Sequence, residues 1–402
     1  MSDNEASPAP AGTSAPEKDE GTAPPIIVAP PIHAAPGTEA DRLDILSFWS
    51  KKPVIELPTP QILQPYAASG TTTFWDDERK AKFKVTIKAA TKTTLVYIRK
   101  DSTVINTYRT TTEMLQPGTH DWGWSGFGDN LVFDTEALRQ GRLSADVQTD
   151  GGSSTSLDLA AKQVYVDWMD LKIDDRAKRV EPKVYVAFAN SPVPGKELDP
   201  ATFARVKGLI LAGIGRYWSR RVTVRWPYDV VTTAVERAVS PAQFVLRRPC
   251  GAIKFILTQP TPLKNIPGLP MELAELFADQ GAGERSFNPG AYRGNDTDPI
   301  VFYYDPASPP SAERIQETGA HEFGHSILLR GIDKTVSVTH KGTSTEGQKR
   351  IPGAYVYPAT GEIDLMKYGT GAEPADFFTR VVATEDDVKA LISLGRVELS
   401  AR

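Results

Sequence analysis

Alternating hydrophobic and polar residues dominate the chain from about residue 41 to 190 and predict β-strands. The runs at 83–87 and 95–98 alternate and are rich in β-branched residues, as half-buried strands are. Clusters of Gly, Asp and Ser separate further short runs at 104–105, 143–147, 157–159 and 164–168. Several short strands at this spacing predict an antiparallel β-sandwich.

From about residue 191 the pattern changes to helices mixed with strands. Asp199 and Pro200 supply a capping carboxylate and a proline for the first helical turn. Apolar residues then recur every three or four positions as far as Tyr217, which predicts one buried helix face. The further predicted elements are strands at 252–258 and 300–304, a helix from about 308 to 331, and a closing helix that begins near Thr384. This part of the chain is therefore predicted to be α+β.

Residues 1–40 are dominated by Pro, Ala, Ser, Gly, Thr and Glu. Such a composition offers little apolar surface to offset chain entropy, and it predicts a disordered arm. The predicted organisation is multidomain: an arm at 1–40, a β-sandwich module at 41–190 and an α+β domain at 191–402.

Charge and cysteine content narrow the function classes. A net charge of −4 gives no reason to expect a nucleic-acid partner. Cys250 is the only cysteine, so a metal site must be built from His and carboxylate ligands. No stretch approaches the roughly 18 to 20 apolar residues of a membrane span. The N-terminus lacks the basic start and apolar run of a secretory signal peptide, so secretion would need another route.

The segment His321-Glu322-Phe323-Gly324-His325 carries the strongest chemical signal. Two histidines four residues apart project from the same face of a helix, where both imidazoles can bind one zinc ion. Glu322 lies beside the first ligand, in the position of a general base that takes a proton from a zinc-activated water. With five histidines in 402 residues, a chance HExxH inside a predicted helix is rare.

This motif resembles that of the zincins, the zinc metallopeptidases with HExxH on the active-site helix. In that class an edge strand aligns the peptide substrate, a part that residues 287–292 would play. The longer metzincin signature is not met, because Leu328 and Gly331 occupy the positions of its glycine and its third ligand. The third ligand is therefore expected further along the chain, and the candidates are His340, Glu346, Glu362 and Asp364.

The segments HEFGHS, HKGTS and GEIDLMKYG together resemble the metallopeptidase effector domains of bacterial type VI secretion systems, over roughly residues 190–400. The resemblance implies one zinc ion per chain, bound by His321, His325 and Glu362, with His340 as the main alternative to Glu362. Tyr368 is then a catalytic candidate that donates a hydrogen bond to the oxyanion. Met366 is predicted to be a core residue, and Glu317 a hydrogen-bond partner of a ligand imidazole or a solvated helix residue.

The same resemblance implies a secreted effector or toxin that acts in the periplasm or interior of a target cell. Its expected partners are a peptide or protein substrate, a secretion spike or carrier protein, and an immunity protein. The segment 117–130 resembles the W-x-G turn of immunoglobulin-like modules in bacterial appendage and secretion proteins, with Trp122 and Trp124 as packing residues and no chemistry.

Three alternatives remain open from the residues alone. The first is a peptidoglycan amidase or endopeptidase that uses the same zinc chemistry. The second is a non-catalytic adaptor of a secretion machine, against which the intact Glu322 argues. The third is a structural zinc site, which would have four protein ligands and no open position.

Overall fold

The structure is a computed structural model. It describes residues 51–64, 80–150, 152–224, 226–245, 249–266, 286–290, 297–330, 345–346, 349–350, 355–369 and 372–402. The predicted arm, residues 1–40, lies outside the described residues.

The strands in chain order are β1 Val54–Glu56, β2 Gln61–Leu63, β3 Ala81–Ile87, β4 Thr94–Lys100, β5 Thr103–Arg109, β6 Gly118–Trp124, β7 Val132–Asp134, β8 Leu143–Thr149, β9 Ser154–Val164, β10 Met169–Asp174, β11 Arg179–Asn190, β12 Arg220–Thr223, β13 Pro227–Val230, β14 Thr233–Glu236, β15 Ile253–Thr258, β16 Ile300–Tyr303, β17 Thr345–Glu346, β18 Lys349–Arg350, β19 Ile363–Asp364, β20 Val381–Val382 and β21 Arg396–Ala401. The α-helices are α1 Thr135–Arg139, α2 Pro200–Tyr217, α3 Pro241–Val245, α4 Ala312–Arg330, α5 Phe377–Arg380 and α6 Glu385–Ser393, with 3₁₀ turns at Glu113–Leu115 and Leu263–Asn265.

Two antiparallel sheets form the first part of the described chain. One has the order β1-β3-β6, and the other has the order β2-β21-β9-β8-β4-β5. The alternation of buried and exposed residues in β3 shows why these sequences form half-buried strands. Strand β1 packs against β8 and β9, so the two sheets contact each other. Trp122 and Trp124 are both 2% exposed and belong to this core.

A mixed eight-stranded sheet carries the second part. Its path is β12-β13-β11-β10-β7, and the long strand β11 also pairs with β14 and β15, while β15 pairs with β16. The pairs of β11 with β13, β14 and β15, and of β15 with β16, are parallel. Strands from both sides of residue 190 thus share this sheet, and β21 joins the sheet of β2 and β9. Residues 48–402 form one compact unit, and the predicted boundary at 190 does not separate two sheets.

Helices α2 and α4 pack directly on one another and position the HEFGH segment. Asp199 caps α2 by accepting hydrogen bonds from the backbone of residues 201 and 202, which confirms the predicted helix start. The two helices approach closely because each contributes a glycine to the contact. Gly213 of α2 lies against the backbone of Gln316, and Gly319 of α4 lies against the side chain of Ile210.

Three predicted elements are corrected by the structure. The segment predicted as a turn at 117–130 contains strand β6. Residues 164–168 do not form a strand, because β9 ends at Val164 and Tyr165 has a φ of 75°, which a strand does not accommodate. The helix that begins after Thr384 does not close the fold, since β21 follows it. In the described part of the chain, no helix has the length and apolar character needed to cross a membrane.

Candidate metal centre

The HEFGH segment lies in the middle of α4 and beside a cavity of about 570 Å³. His321, Glu322 and His325 are 1%, 3% and 7% exposed, and the first two line the cavity. The two imidazole rings are 4.9 Å apart between centroids and nearly perpendicular, at 85°. The structure therefore brings the two predicted histidine ligands together on one buried helix face.

The hydrogen bonds of His321 define its tautomer. Its Nδ1 lies 2.7 Å from the carbonyl oxygen of Leu365, which can only accept, so Nδ1 carries the proton. Nε2 therefore presents a lone pair, and the hydroxyl of Tyr368 donates to it at 2.9 Å. Burial lowers the pKa of His321 to about 4. The ring is thus neutral at pH 7, in the form that binds metals, and a metal-binding imidazole typically donates its other N–H to a carbonyl in this way.

The segment 363–368 packs against the HEFGH turn. Met366 is fully buried, and a Cβ on Gly324 would lie 2.8 Å from Trp218 Cζ2 and closer still to Met366 Sδ, so only glycine fits at position 324. The Asp364 carboxylate accepts a hydrogen bond from the Met366 amide at 2.9 Å, which fixes this turn. Tyr368 then stacks on His321 with ring centroids 4.7 Å apart. Met366 is a core residue, as predicted.

Glu322 is a buried carboxyl group with an unsatisfied oxygen. Its Oε2 has no hydrogen-bond partner among the described residues. Burial, and secondarily the negative charge of Glu317, raise the pKa of Glu322 to about 8. A buried polar atom without a partner costs free energy, and this one lies on the same helix turn as two histidines.

Glu317 has a different environment from both predicted ones. It is 5% exposed, so it is not a solvated helix residue, and its carboxylate accepts hydrogen bonds from Arg314 at 3.1 Å and from Thr318 at 3.2 Å. Burial raises the pKa of Glu317, and the nearby Arg314 opposes this shift. Arg314 also forms an ion pair with Glu373, so one cation bridges two carboxylates along the cavity wall.

Glu362, the third ligand implied by the resemblance, is engaged elsewhere. Its two carboxylate oxygens accept hydrogen bonds from the Arg220 guanidinium at 3.0 and 3.3 Å, and its side chain is 63% exposed. The lining of the cavity includes Asp364 and Tyr368 and does not include Glu362. Among the described residues, no three His, Cys, Asp or Glu side chains are grouped closely enough to hold a metal ion. His340 and the side chain of Glu346 lie outside the described residues.

The segment 286–290, which contains the start of the edge strand predicted at 287–292, reaches the cavity. Phe287 forms an isolated antiparallel bridge with Val301 of β16, and Ser286 lines the cavity. Tyr292, the end of the predicted edge segment, lies outside the described residues. Asn288, which was not predicted from the sequence as a site residue, donates hydrogen bonds from this segment to α4. No local sequence signal marks an asparagine as the partner of helix residues 34 and 38 positions further along the chain.

Comparison of the chain with protein-family models, with curated proteins and with solved structures gave no match. The described fold is a mixed α+β arrangement with several β-sheets. The immunoglobulin-like and zincin-like assignments therefore remain predictions from sequence.

Proposed function

We propose that this chain is a zinc-dependent metallopeptidase that hydrolyses amide bonds. One observation carries the proposal: at the wall of a 570 Å³ cavity, neutral His321 has an Nε2 lone pair, which accepts a hydrogen bond from Tyr368, close to His325 and to a buried carboxyl oxygen of Glu322 that has no partner among the described residues. A buried carboxyl group without a partner lowers the stability of the fold, and its place beside two histidines is typical of a hydrolytic metal site.

Two of the residues, His321 and His325, suit a zinc ion as ligands, while the third ligand is not identified among the described residues. His321 has the protonation state and the backbone partner that a zinc-binding imidazole requires, and His325 lies one turn away on the same helix. When bound, zinc would supply a water acidified towards a pKa of about 7 and a positive charge that polarises the scissile carbonyl.

Two side chains would then perform the proton transfer and charge stabilisation. Glu322 would take a proton from the attacking water and pass it to the leaving nitrogen. The carboxyl group must be ionised to take this proton, and the positive charge of a bound zinc ion would favour the ionised form. Tyr368 Oη lies 2.9 Å from His321 Nε2, so the hydroxyl is close to the reacting centre, where it can donate a hydrogen bond to the oxyanion.

The third ligand is proposed to be Glu362 or His340, and the two assignments differ in cost. Glu362 would have to exchange its two hydrogen bonds with Arg220 for the metal. His340 requires no such exchange at Glu362. Zinc content of the Glu362→Ala and His340→Ala proteins separates the assignments. Only replacement of the residue that binds the metal should lower the amount of zinc retained after dialysis.

The biological role remains a proposal by resemblance. It is a secreted effector or toxin that combines an immunoglobulin-like sandwich with a zincin-like catalytic region, and that meets a carrier and an immunity protein. The peptidoglycan hydrolase alternative predicts cleavage of peptidoglycan in place of proteins. The adaptor alternative predicts a chain that binds no zinc and hydrolyses no substrate.

The experiment that tests the enzymatic proposal compares wild type with Glu322→Gln on fluorogenic peptides, an unfolded protein and isolated peptidoglycan. We expect the substitution to lower kcat by about 10² to 10⁴-fold while zinc remains bound, which is the usual contribution of a general base. Glu313→Gln is the matched control, because Glu313 is an exposed carboxylate on the same helix. Wild-type turnover by the Glu322→Gln protein would contradict the mechanism.

A further inference from the structure

The segment that precedes Pro289 is fixed to the edge of the eight-stranded sheet. Phe287 and Val301 exchange two backbone hydrogen bonds of 3.0 Å each. Ser286 Oγ accepts a hydrogen bond from the amide of Tyr303, also at 3.0 Å. Because Ser286 lines the cavity, this edge forms part of the same cavity wall as His321 and Glu322.

Asn288 connects this edge to α4. The side chain is 4% exposed, and its Nδ2 donates to the carbonyl oxygen of Glu322 at 3.1 Å and to Ser326 Oγ at 3.0 Å. In an α-helix the carbonyl of residue 322 also accepts from the amide of residue 326. One amide group therefore holds both ends of the helical turn that contains Glu322 and His325.

We propose that Asn288 is a positioning residue that fixes the HEFGH turn relative to the sheet edge of the cavity. This inference rests on the proposed function. The Glu322 carboxyl oxygen Oε2 has no hydrogen-bond partner among the described residues, so the position of its backbone determines where the carboxylate lies. A misplacement of about 1 Å in a reacting group can lower a rate by about 100-fold.

The test uses Asn288→Ala and Asn288→Asp in the full chain. Ala has no donor, so Asn288→Ala loses both bonds to α4; Asp has nearly the same size as Asn and loses them at a pH at which its carboxyl group is ionised. We expect kcat to fall by about 10 to 100-fold, KM to change less than about threefold, and zinc content to be unchanged. Ser326→Ala, which keeps the bond to the Glu322 carbonyl, should lose less kcat than either Asn288 variant.

The matched control is Asn106→Ala. Asn106 also donates two hydrogen bonds, to the Phe127 carbonyl at 3.3 Å and to Asp129 at 3.2 Å, and it lies in β5, away from the cavity lining. A general loss of stability would affect both variants, whereas a positioning role affects kcat only at residue 288. Equal kcat in the two variants, or a change in KM alone, would overturn the inference.

A second measurement does not depend on catalysis. Hydrogen exchange should show faster exchange of amides 322–328 in Asn288→Ala than in wild type and Asn106→Ala. If the wild-type protein hydrolyses no substrate, the proposed function fails, and the exchange data still decide whether Asn288 holds the turn. Unchanged protection of these amides would refute that role.

Discussion

Replacing Gly213 with alanine is expected to force apart the two helices that position the HEFGH segment. A Cβ at position 213 would lie 2.6 Å from the carbonyl carbon and Cα of Gln316, and closer still to its carbonyl oxygen. These are backbone atoms of α4, so no side-chain rotation relieves the clash. Ordinary carbon contacts are about 3.5 to 4 Å, and the helices must therefore separate locally by about 1 Å.

The expected change in the free energy of unfolding is the difference between a destabilising and a stabilising contribution. Overpacking of a core costs about 1 to 3 kcal/mol, and a clash between backbones belongs at the upper end of that range. Alanine in place of glycine stabilises a helix by up to about 1 kcal/mol. The net expected loss in the free energy of unfolding is about 2 kcal/mol. Gln316 precedes His321 by five residues, so the displacement should also weaken zinc binding.

Gly208→Ala is the matched control, because Gly208 lies in the same helix and a Cβ there would meet nothing within 4 Å. This variant should gain about 0.5 to 1 kcal/mol. Urea unfolding of the two proteins, with the slope and midpoint fitted together, measures the difference. A Gly213→Ala protein as stable as the Gly208→Ala protein would refute the close approach of α2 and α4.

Two other predictions test the electrostatics and the chain topology. In metal-free protein the pKa of Glu322 is raised from 4.5 to about 8, so its contribution to stability is fully present below pH 4.5 and is lost as the pH rises through 8. Between pH 5 and 8 the free energy of unfolding of the wild-type protein should therefore fall by about 4 kcal/mol relative to that of Glu322→Gln. Urea unfolding in the presence of a chelator measures both proteins, and parallel pH profiles would contradict the raised pKa. Deletion of residues 396–402 should abolish cooperative unfolding and zinc binding, because β21 pairs with β9 over six residues and its Val397 and Leu399 are completely buried. An intact zinc site in the truncated protein would show that β21 is dispensable.

Local signals in the sequence predict the helix of the candidate site well. The Asp199-Pro200 start of α2 and the buried strands β15 and β16 follow from capping chemistry and hydrophobic runs, and so does the placement of HEFGH within a helix. These features depend on neighbours within a few residues. Hydrophobic period and helix caps report such neighbours directly.

Contacts between distant segments could not be predicted in the same way. Strand β21 lies between β2 and β9, and nothing in its six residues indicates those partners. The pairing of Glu362 with Arg220 joins residues 142 positions apart, and a carboxylate near a Met and a Tyr resembles a metal ligand whether or not an arginine binds it. Asn288 was missed for the same reason.

The proposed metal centre is tested by zinc content, measured by elemental analysis on purified wild type and His321→Ala. We predict about one zinc ion per wild-type chain and its loss in the variant, with both proteins folded by circular dichroism. A folded wild-type protein that binds no zinc after metal supplementation, or a His321→Ala protein that retains it, would contradict the proposed metal centre.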